Sequence, residues 1–436
     1  MDNIQKVSDS YMCSNCGACK SICPKEAIDF KWSSMGRMYA YVNDKCIDCG
    51  LCTKVCPSIN DAANLFEDPY VGHIEALYTG KATDDAIFRN AQSGGAVTAV
   101  LTYLFEKKDI DCAVVCRMKA GDTPIVESAL ITNASELVLS QKSCYTPVDM
   151  LSILKKAKDF KSVAVVGLPC HIEGLLLLQA KSKRFQNVKY KLGLICDRTL
   201  CSSIQDLLVG KYANAFNEKN VKIDWRRKFL NNKVFQYKTA PVVIYSEQDE
   251  YTVPNNVRFF LKEPFTPPRC RVCSDKINVM ADLVFGDPWR MTNIDWVKGE
   301  SVIIARTAFG NELLKEMKNN GALQLNLRKT EEIITGQLIP QRREQVALWK
   351  EAIKVLPLQL ESYIVQSSQP TVPIDEKLLA AAQSKLNIFI KMESLPKSKA
   401  VEIIKKDVDK FEKRIKSPFY RLITRVVNKL RSILKR

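Results

Sequence analysis

Apolar residues fall in short runs divided by glycine, proline and polar clusters, which predicts strands alternating with helices. Residues 73–79 read as a strand and 80–85 as a turn. The turn Gln92-Ser93-Gly94-Gly95 opens an apolar helix over 96–105 that feeds a strand over 111–116. The clearest unit is a helix over 148–157, a strand over 162–166, the turn Gly167-Leu168-Pro169-Cys170-His171 and an apolar helix from Ile172. A strand over 191–195 ends at Cys196, residues 204–216 read as helix, and 221–240 alternate. A strand over 281–285 runs into Gly286-Asp287-Pro288-Trp289, followed by strand 301–307, helix 310–319 and strand 321–327. Residues 58–69 and 130–146 read as polar connections, and long polar helices follow Lys329. Strand, glycine turn and helix in series make an α/β layer, in which ligands collect at the carboxyl ends of strands.

Ahead of this body lies a different stretch. Cys13, Cys16, Cys19 and Cys23-Pro24 are repeated as Cys46, Cys49, Cys52 and Cys56-Pro57. This is the spacing of a bacterial two-cluster ferredoxin, in which the fourth cysteine of each run crosses to the other cluster. Cys13, Cys16, Cys19 and Cys56 are thus expected to hold one [4Fe-4S] cluster, and Cys46, Cys49, Cys52 and Cys23 the other. Four thiolates also suit zinc, but structural zinc sites pair cysteines across a longer loop. Gly17, Ala18 and Gly50 are small enough to let backbone amides approach the sulfurs. So short a module buries little apolar surface, and the clusters would supply much of its folding energy.

Of the sixteen cysteines, Cys112, Cys116, Cys144, Cys170, Cys196, Cys201, Cys270 and Cys273 lie outside these runs. Cys170 and Cys196 each follow a strand ending on one side of the expected sheet, and Cys270 and Cys273 form a CxxC. These four are the expected ligands of a third cluster, with Cys201 as the substitute for Cys170 or Cys196. The competing account makes Cys270 and Cys273 a redox-active disulfide. So many cysteines without an apolar leader predict a reducing, cytoplasmic setting.

The chain of 436 residues carries a formal charge of +17, which can recruit any polyanion. No finger, helix-turn-helix or aromatic ribonucleoprotein motif accompanies the charge, so nucleic acid is not the expected partner. No run of eighteen apolar residues occurs, so no membrane span is expected. Residues 417–436 place Phe419, Leu422, Ile423, Val426, Val427, Leu430, Ile433 and Leu434 on one helical stripe among basic residues. That segment suits either an anionic membrane surface at the inner face or packing on the body or a partner.

Taken in order, Gln92-Ser93-Gly94-Gly95-Ala96-Val97-Thr98, Gly167-Leu168-Pro169-Cys170-His171, Gly193-Leu194-Ile195-Cys196, Arg269-Cys270 through Cys273, Ala281-Asp282 and Gly286-Asp287-Pro288-Trp289 resemble the coenzyme F420 hydrogenase/dehydrogenase beta-subunit family. The resemblance is to its form with a fused two-cluster ferredoxin. It implies a mixed α+β and α/β fold: a ferredoxin module over 1–62, a domain over 70–330 binding FAD and a further [4Fe-4S] cluster, and a helical basic extension over 331–436. It implies an oxidoreductase that exchanges electrons with a redox partner protein or reduced ferredoxin and with an anionic organic substrate such as F420. On this resemblance Ser93, Gly94, Gly95 and Thr98 approach the flavin or its phosphates, beside Pro169, and Lys142 and Ser143 lie near its ring or phosphate. Arg226, Arg227 and Lys228 attract the anionic substrate tail, and His171 is either a proton relay or a structural histidine. His171, Asp197-Arg198 and Trp225-Arg226-Arg227-Lys228 depart from the family's usual residues, which leaves open a metabolite of polysaccharide building as substrate. A non-catalytic electron-transfer adapter and a basic scaffold whose clusters only stabilise the fold are the remaining alternatives.

Overall fold

The computed structural model describes residues 3–60, 65–213, 220–231, 234–238, 241–245, 249–356 and 373–417. The basic stripe read over 417–436 lies outside the described residues from 418 onward.

In the amino-terminal module, β1 (Ile28–Trp32) and β2 (Met38–Val42) form an antiparallel hairpin. Two short helices, Ala18–Ile22 and Leu51–Lys54, each begin after a left-handed glycine, Gly17 at φ 91° and Gly50 at φ 69°. The cysteine duplication therefore folds as a structural duplication. In each half, glycine allows the turn that swings the chain around its thiols.

The body is built from β3 (Ala76–Ala82), β4 (Cys112–Lys119), β5 (Ile125–Ile131), β6 (Val163–Gly167) and β7 (Val188–Leu194). A subdomain then contributes β8 (Lys222–Asp224), β9 (Arg227–Asn231), β10 (Val234–Lys238), β11 (Val242–Ile244) and β12 (Glu250–Thr252). The chain returns to the body with β13 (Leu283–Gly286), β14 (Ser301–Ala305) and β15 (Leu323–Arg328). The eight body strands form one sheet in the order β15-β3-β14-β13-β7-β6-β4-β5. Its centre, β13-β7-β6-β4, is parallel, and the outer pairings are antiparallel. All of β6 is buried, as an unbroken Val-Ala-Val-Val run requires when helices cover both faces of a parallel sheet.

Several boundaries differ from the sequence expectation for physical reasons. Gly80 sits inside β3 rather than in a turn, because the Gln324 carbonyl of β15 comes too close for any side chain. The polar stretch from 130 hides the end of β5 and a 3-10 turn over Ala134–Ser140. Residues Met150–Ala157 wind as a 3-10 segment, and the helix expected over 204–216 is α only over Ser203–Leu208 before turning π over Val209–Ala213.

The helices Glu376–Glu393 and Lys397–Lys416 run back over earlier elements. Leu386 joins Ile4, Met12 and Ile59 in one apolar core, while Ile404 and Val408 pack with Trp225 and Phe265 of the subdomain. Glu393 accepts from the Ser33 hydroxyl at 2.8 Å and pairs with Arg37, both in the hairpin of the ferredoxin module.

Candidate functional site

Cys13, Cys16, Cys19, Cys52 and Cys56 are buried, Cys23 and Cys46 are half-buried, and Cys49 is exposed. Burial raises the Cys19 thiol well above its usual range, and the neighbouring sulfurs of Cys16, Cys13, Cys56 and Cys52 push it further. The Cys56 thiol is likewise raised by burial and then by Cys16 and Cys13. Cys56 of the second run thus sits with the first. A pocket lined by Cys23, Cys46, Cys49 and Cys52 shows the reverse crossing. Amides of Asn15, Ala27 and Asp48 each point at a sulfur, of Cys13, Cys23 and Cys46, at 3.4 Å. N–H groups aimed at sulfur favour thiolate and suit cluster ligation. Among the described residues no three His, Cys, Asp or Glu side chains close around a single ion.

The carboxyl ends of the adjacent parallel strands β6, β7 and β13 deliver Cys170, Cys196 and Asp287 to one edge of the sheet. Burial raises the Cys170 thiol, followed by the fields of Cys16, Cys196, Cys273 and Cys270. Burial and then Cys270 and Cys273 do the same to Cys196. The structure thus brings Cys170, Cys196, Cys270 and Cys273 together. Cys201 is fully buried in the subdomain core instead, its amide donating to the Phe265 carbonyl at 2.8 Å. Cys270 and Cys273 are not joined by a disulfide.

Residues without a sequence signature hold this set. The Asn278 side-chain amide donates to the carbonyls of Gly167 at 3.0 Å and Leu194 at 3.3 Å, tying the strand ends that lead to Cys170 and Cys196. A side chain at Gly193 would strike Asn278 at 2.6 Å, so glycine is needed there. Arg342, from the helix Ile339–Ala352, donates to the carbonyls of Cys273 at 3.1 Å and Cys270 at 3.2 Å. Arg269 donates to Ser58 at 3.0 Å and its charge favours thiolate at both Cys56 and Cys273. These arginines offset the negative charge that four thiolates bring.

His171 Nδ1 accepts the Leu168 amide at 3.2 Å, and burial lowers its pKa to about 4. It stays neutral and caps the helix that carries Cys170.

The fold brings Ser143 to Gln92 and Lys228 beside Ser93 at Gly299, and gives the residues expected around flavin and substrate different roles. The Gly94 amide donates to Ser301 Oγ at 3.0 Å, and a side chain there would meet the Ser301 amide at 2.6 Å, so this glycine serves the packing of its turn on β3 and β14. The Ser93 hydroxyl lies 3.2 Å from the Ser301 hydroxyl. Gly95 takes φ 77° to start the helix Ala96–Glu106, whose first turns include Thr98. Lys142 pairs with Asp224 at 2.8 Å, and the Ser143 amide donates to Gln92 at 3.1 Å. Pro169 is the first residue of the helix bearing Cys170. Arg226 is buried, paired with Asp287, donating to the Tyr145 hydroxyl and lying between the rings of Tyr145 and Trp289. Arg227 turns away to Glu250.

Lys228 differs from both arginines. It is only 8% exposed, donates to the Phe88 carbonyl at 2.6 Å, and makes no ion pair with a carboxylate among the described residues. Burial, and then the charge of Lys81, lower its pKa to about 7. The buried Trp225 Nε1 and Thr146 Oγ1 have no hydrogen-bond partner among the described residues. Lys228, desolvated and without a carboxylate partner among the described residues, is chemically suited to hold an anionic group.

Residues 77–155 match the amino-terminal part, and residues 160–331 the carboxyl-terminal part, of the family described as coenzyme F420 hydrogenase/dehydrogenase, beta subunit. The chain belongs to this family. Its residues 12–60 match the 4Fe-4S dicluster domain, so this beta-subunit relative carries that domain at its amino terminus. The F420 hydrogenase/dehydrogenase beta-subunit family is one of oxidoreductase subunits whose members bind FAD and clusters. One subunit of the F(420)H(2) dehydrogenase of Methanosarcina mazei is 23% identical over 78% of this chain and 92% of its own length. The beta subunit of the coenzyme F420 hydrogenase of Methanosarcina barkeri is 24% identical over 60% of this chain and 84% of its own. The coenzyme F420-dependent sulfite reductase of Methanocaldococcus jannaschii is 27% identical over 71% of this chain, which spans only 46% of that enzyme. One protein of the xenon-derivatised F420-reducing [NiFe] hydrogenase complex from Methanosarcina barkeri aligns with a TM-score of 0.49 and 22% identity, covering 64% of this chain and 91% of that one. Among the described residues no helix is long and apolar enough to cross a membrane.

Proposed function

We propose that the chain is an FAD- and [4Fe-4S]-dependent oxidoreductase subunit that passes electrons between a one-electron protein partner and coenzyme F420. The observation that carries this reading is that the helix bearing Cys170 packs on the dicluster module, its Gly174 lying directly against the Cys16 sulfur. This contact supports a continuous series of thiols from the dicluster module into the α/β body. The naming of relatives for F420 supports the choice of organic substrate.

On this reading Cys13, Cys16, Cys19 and Cys56 hold the cluster nearest the body, and Cys23, Cys46, Cys49 and Cys52 hold the outer one. The exposed Cys49 makes the outer set the port for a one-electron partner such as ferredoxin. Cys170, Cys196, Cys270 and Cys273 hold the third cluster, with Arg342 and Arg269 balancing its charge. Bound FAD supplies the exchange between hydride and single-electron chemistry. Lys142, Ser143 and the helix start at Gly95 border its place, and Lys228 offers its charge to an anionic group of FAD or F420. Arg226 orients Tyr145 and Asp287 rather than meeting substrate. His171 holds the Cys170 helix and moves no proton near neutrality. The protein works in the reducing cytoplasm.

The test is anaerobic purification with iron, sulfide and flavin quantification, followed by addition of reduced F420. Iron for three [4Fe-4S] clusters, one FAD and bleaching of cluster absorbance by reduced F420 are expected. Clusters that are reduced by ferredoxin but untouched by reduced F420 would remove F420 from the proposal.

A further inference from the structure

The positive charge is not spread evenly along the chain. Residues 397–436 hold fourteen Lys and Arg against four Asp and Glu, so ten of the seventeen net charges lie in under a tenth of the length. The first half of that stretch is the helix Lys397–Lys416, and the body fixes which of its sides faces solvent. Ala400, Ile404 and Val408 are buried at four-residue spacing in the core that holds Trp225 and Phe265. Phe411 continues the row and stacks on Phe260, with ring centroids 4.6 Å apart.

Two of the four acids are taken up by this seat. Asp409 and Glu412 both pair with Lys211 of the subdomain, and Glu412 also accepts from the Tyr212 hydroxyl at 2.8 Å. Lys399, Lys406, Lys410 and Lys413 recur seven, four and three residues apart, on the side opposite the buried row, and all four are exposed. The exposed acids of the helix are Glu402 and Asp407, facing Lys406 at 2.8 Å and Lys410 at 3.4 Å. Docking of the helix on the body thus consumes acid and turns a net positive face outward.

Beyond Ser417 the sequence adds six Lys and Arg and no acid, with Phe419, Leu422, Val426 and Leu430 spaced three and four apart. A soluble polyanion answers the charge but offers nothing to an apolar stripe set among the bases. A bilayer surface answers both, with anionic headgroups directly above hydrocarbon. A basic patch or an apolar insertion alone holds a protein weakly, and the two together hold it firmly.

We propose that the outward lysine face of the helix Lys397–Lys416 and the basic, apolar-striped residues 418–436 form one surface that docks the protein on an anionic lipid bilayer. The lysines lie over the headgroups, and the stripe enters between them. This docking needs no cluster, flavin or F420, so it stands apart from the proposed electron path.

The test is sedimentation of the anaerobic holoprotein with vesicles of phosphatidylcholine alone or mixed with phosphatidylglycerol. Binding at least about tenfold tighter to the mixed vesicles is expected, weakening as salt is raised. Lys399→Gln, Lys410→Gln and Lys413→Gln combined in the full chain should weaken it several-fold, and Leu422→Asp with Leu430→Asp should abolish it. Iron content and melting temperature should stay unchanged in both variants. Equal binding to the two vesicles, binding to neither, or undiminished binding by the lysine variant would overturn the proposal. A melting temperature lowered by the aspartate substitutions, with the unsubstituted chain free of both vesicles, would mean that the stripe packs on the body instead. Iron and flavin measured on the same samples report separately on the electron-transfer reading.

Discussion

Gly174 lies directly against Cys16: a β-carbon at Gly174 would come within 3.3 Å of the Cys16 sulfur and 3.2 Å of the Ala18 side chain. Gly174 stands four residues after Cys170, one turn along the same helix face, so the two proximal thiol sets meet across a helix stripped of its side chain. Gly174→Leu should push this helix off the ferredoxin module. Overpacking of this kind costs about 1–3 kcal/mol. The expected outcome is a lower melting temperature and weaker magnetic interaction between reduced clusters in electron paramagnetic resonance, with Gly174→Ala showing a smaller change. Unaltered spectra in the leucine variant would show that no cluster pair meets there.

Cys170 and Cys201 separate in their consequences. Cys170→Ser should remove the iron of one cluster, about a third of the total. Cys201→Ser should keep all the iron and lose about 1–3 kcal/mol from a hydroxyl placed in an apolar core. Iron analysis and thermal unfolding of the two variants check the pair, and iron lost from Cys201→Ser instead would reverse the ligand assignment.

On the proposed reading Lys228 makes anion binding depend on pH. Its pKa near 7 in the free protein means that above this pH an arriving anion must draw a proton onto the amine. Affinity for F420 should therefore be flat below pH 7 and fall above it, by up to about tenfold per unit. Without ligand the sign is opposite for folding. The unfolded amine, at its usual 10.5, binds more protons than the folded one between pH 7 and 10.5, so stability rises with pH across that window. Lys228→Met should abolish both dependences, read by F420 titration and by thermal melts at several pH values.

The pair of Arg37 and Glu393 is buried on both sides, with side chains 8% and 7% exposed. Burial raises the Glu393 pKa, and the nearby Arg37 counteracts this. Glu393→Ala leaves the guanidinium between the Tyr11 and Tyr39 rings without its carboxylate. Breaking a buried pair from one side costs about 3–5 kcal/mol. Limited proteolysis should then cut the ferredoxin module free of the body, whereas the native chain resists. Equal resistance in the variant would mean that the apolar contacts of Leu386 suffice.

The cysteine runs, the strand–turn–helix unit around Cys170 and the glycine-rich helix start are legible in the sequence because each is a local pattern with a physical cause. Asn278, Arg342 and Glu393 are not, since each acts on a partner remote along the chain and no spacing announces it. Arg342 lies in a polar helical stretch that reads as a solvated face. The role of Gly94 escapes the sequence for the same reason: the contact that demands glycine is with Ser301 on a distant strand. Arg226, Arg227 and Lys228 look alike in sequence, yet only the fold distinguishes a ring-stacked support, an outward ion pair and a desolvated amine.

The seat of the ferredoxin module has a temporal meaning. The helix that ends at Glu393 and packs on the hairpin of the module is made some 330 residues later than that hairpin. The apolar core that Leu386 shares with Cys13, Cys19, Cys52 and Cys56 is therefore completed only by a segment made late in synthesis.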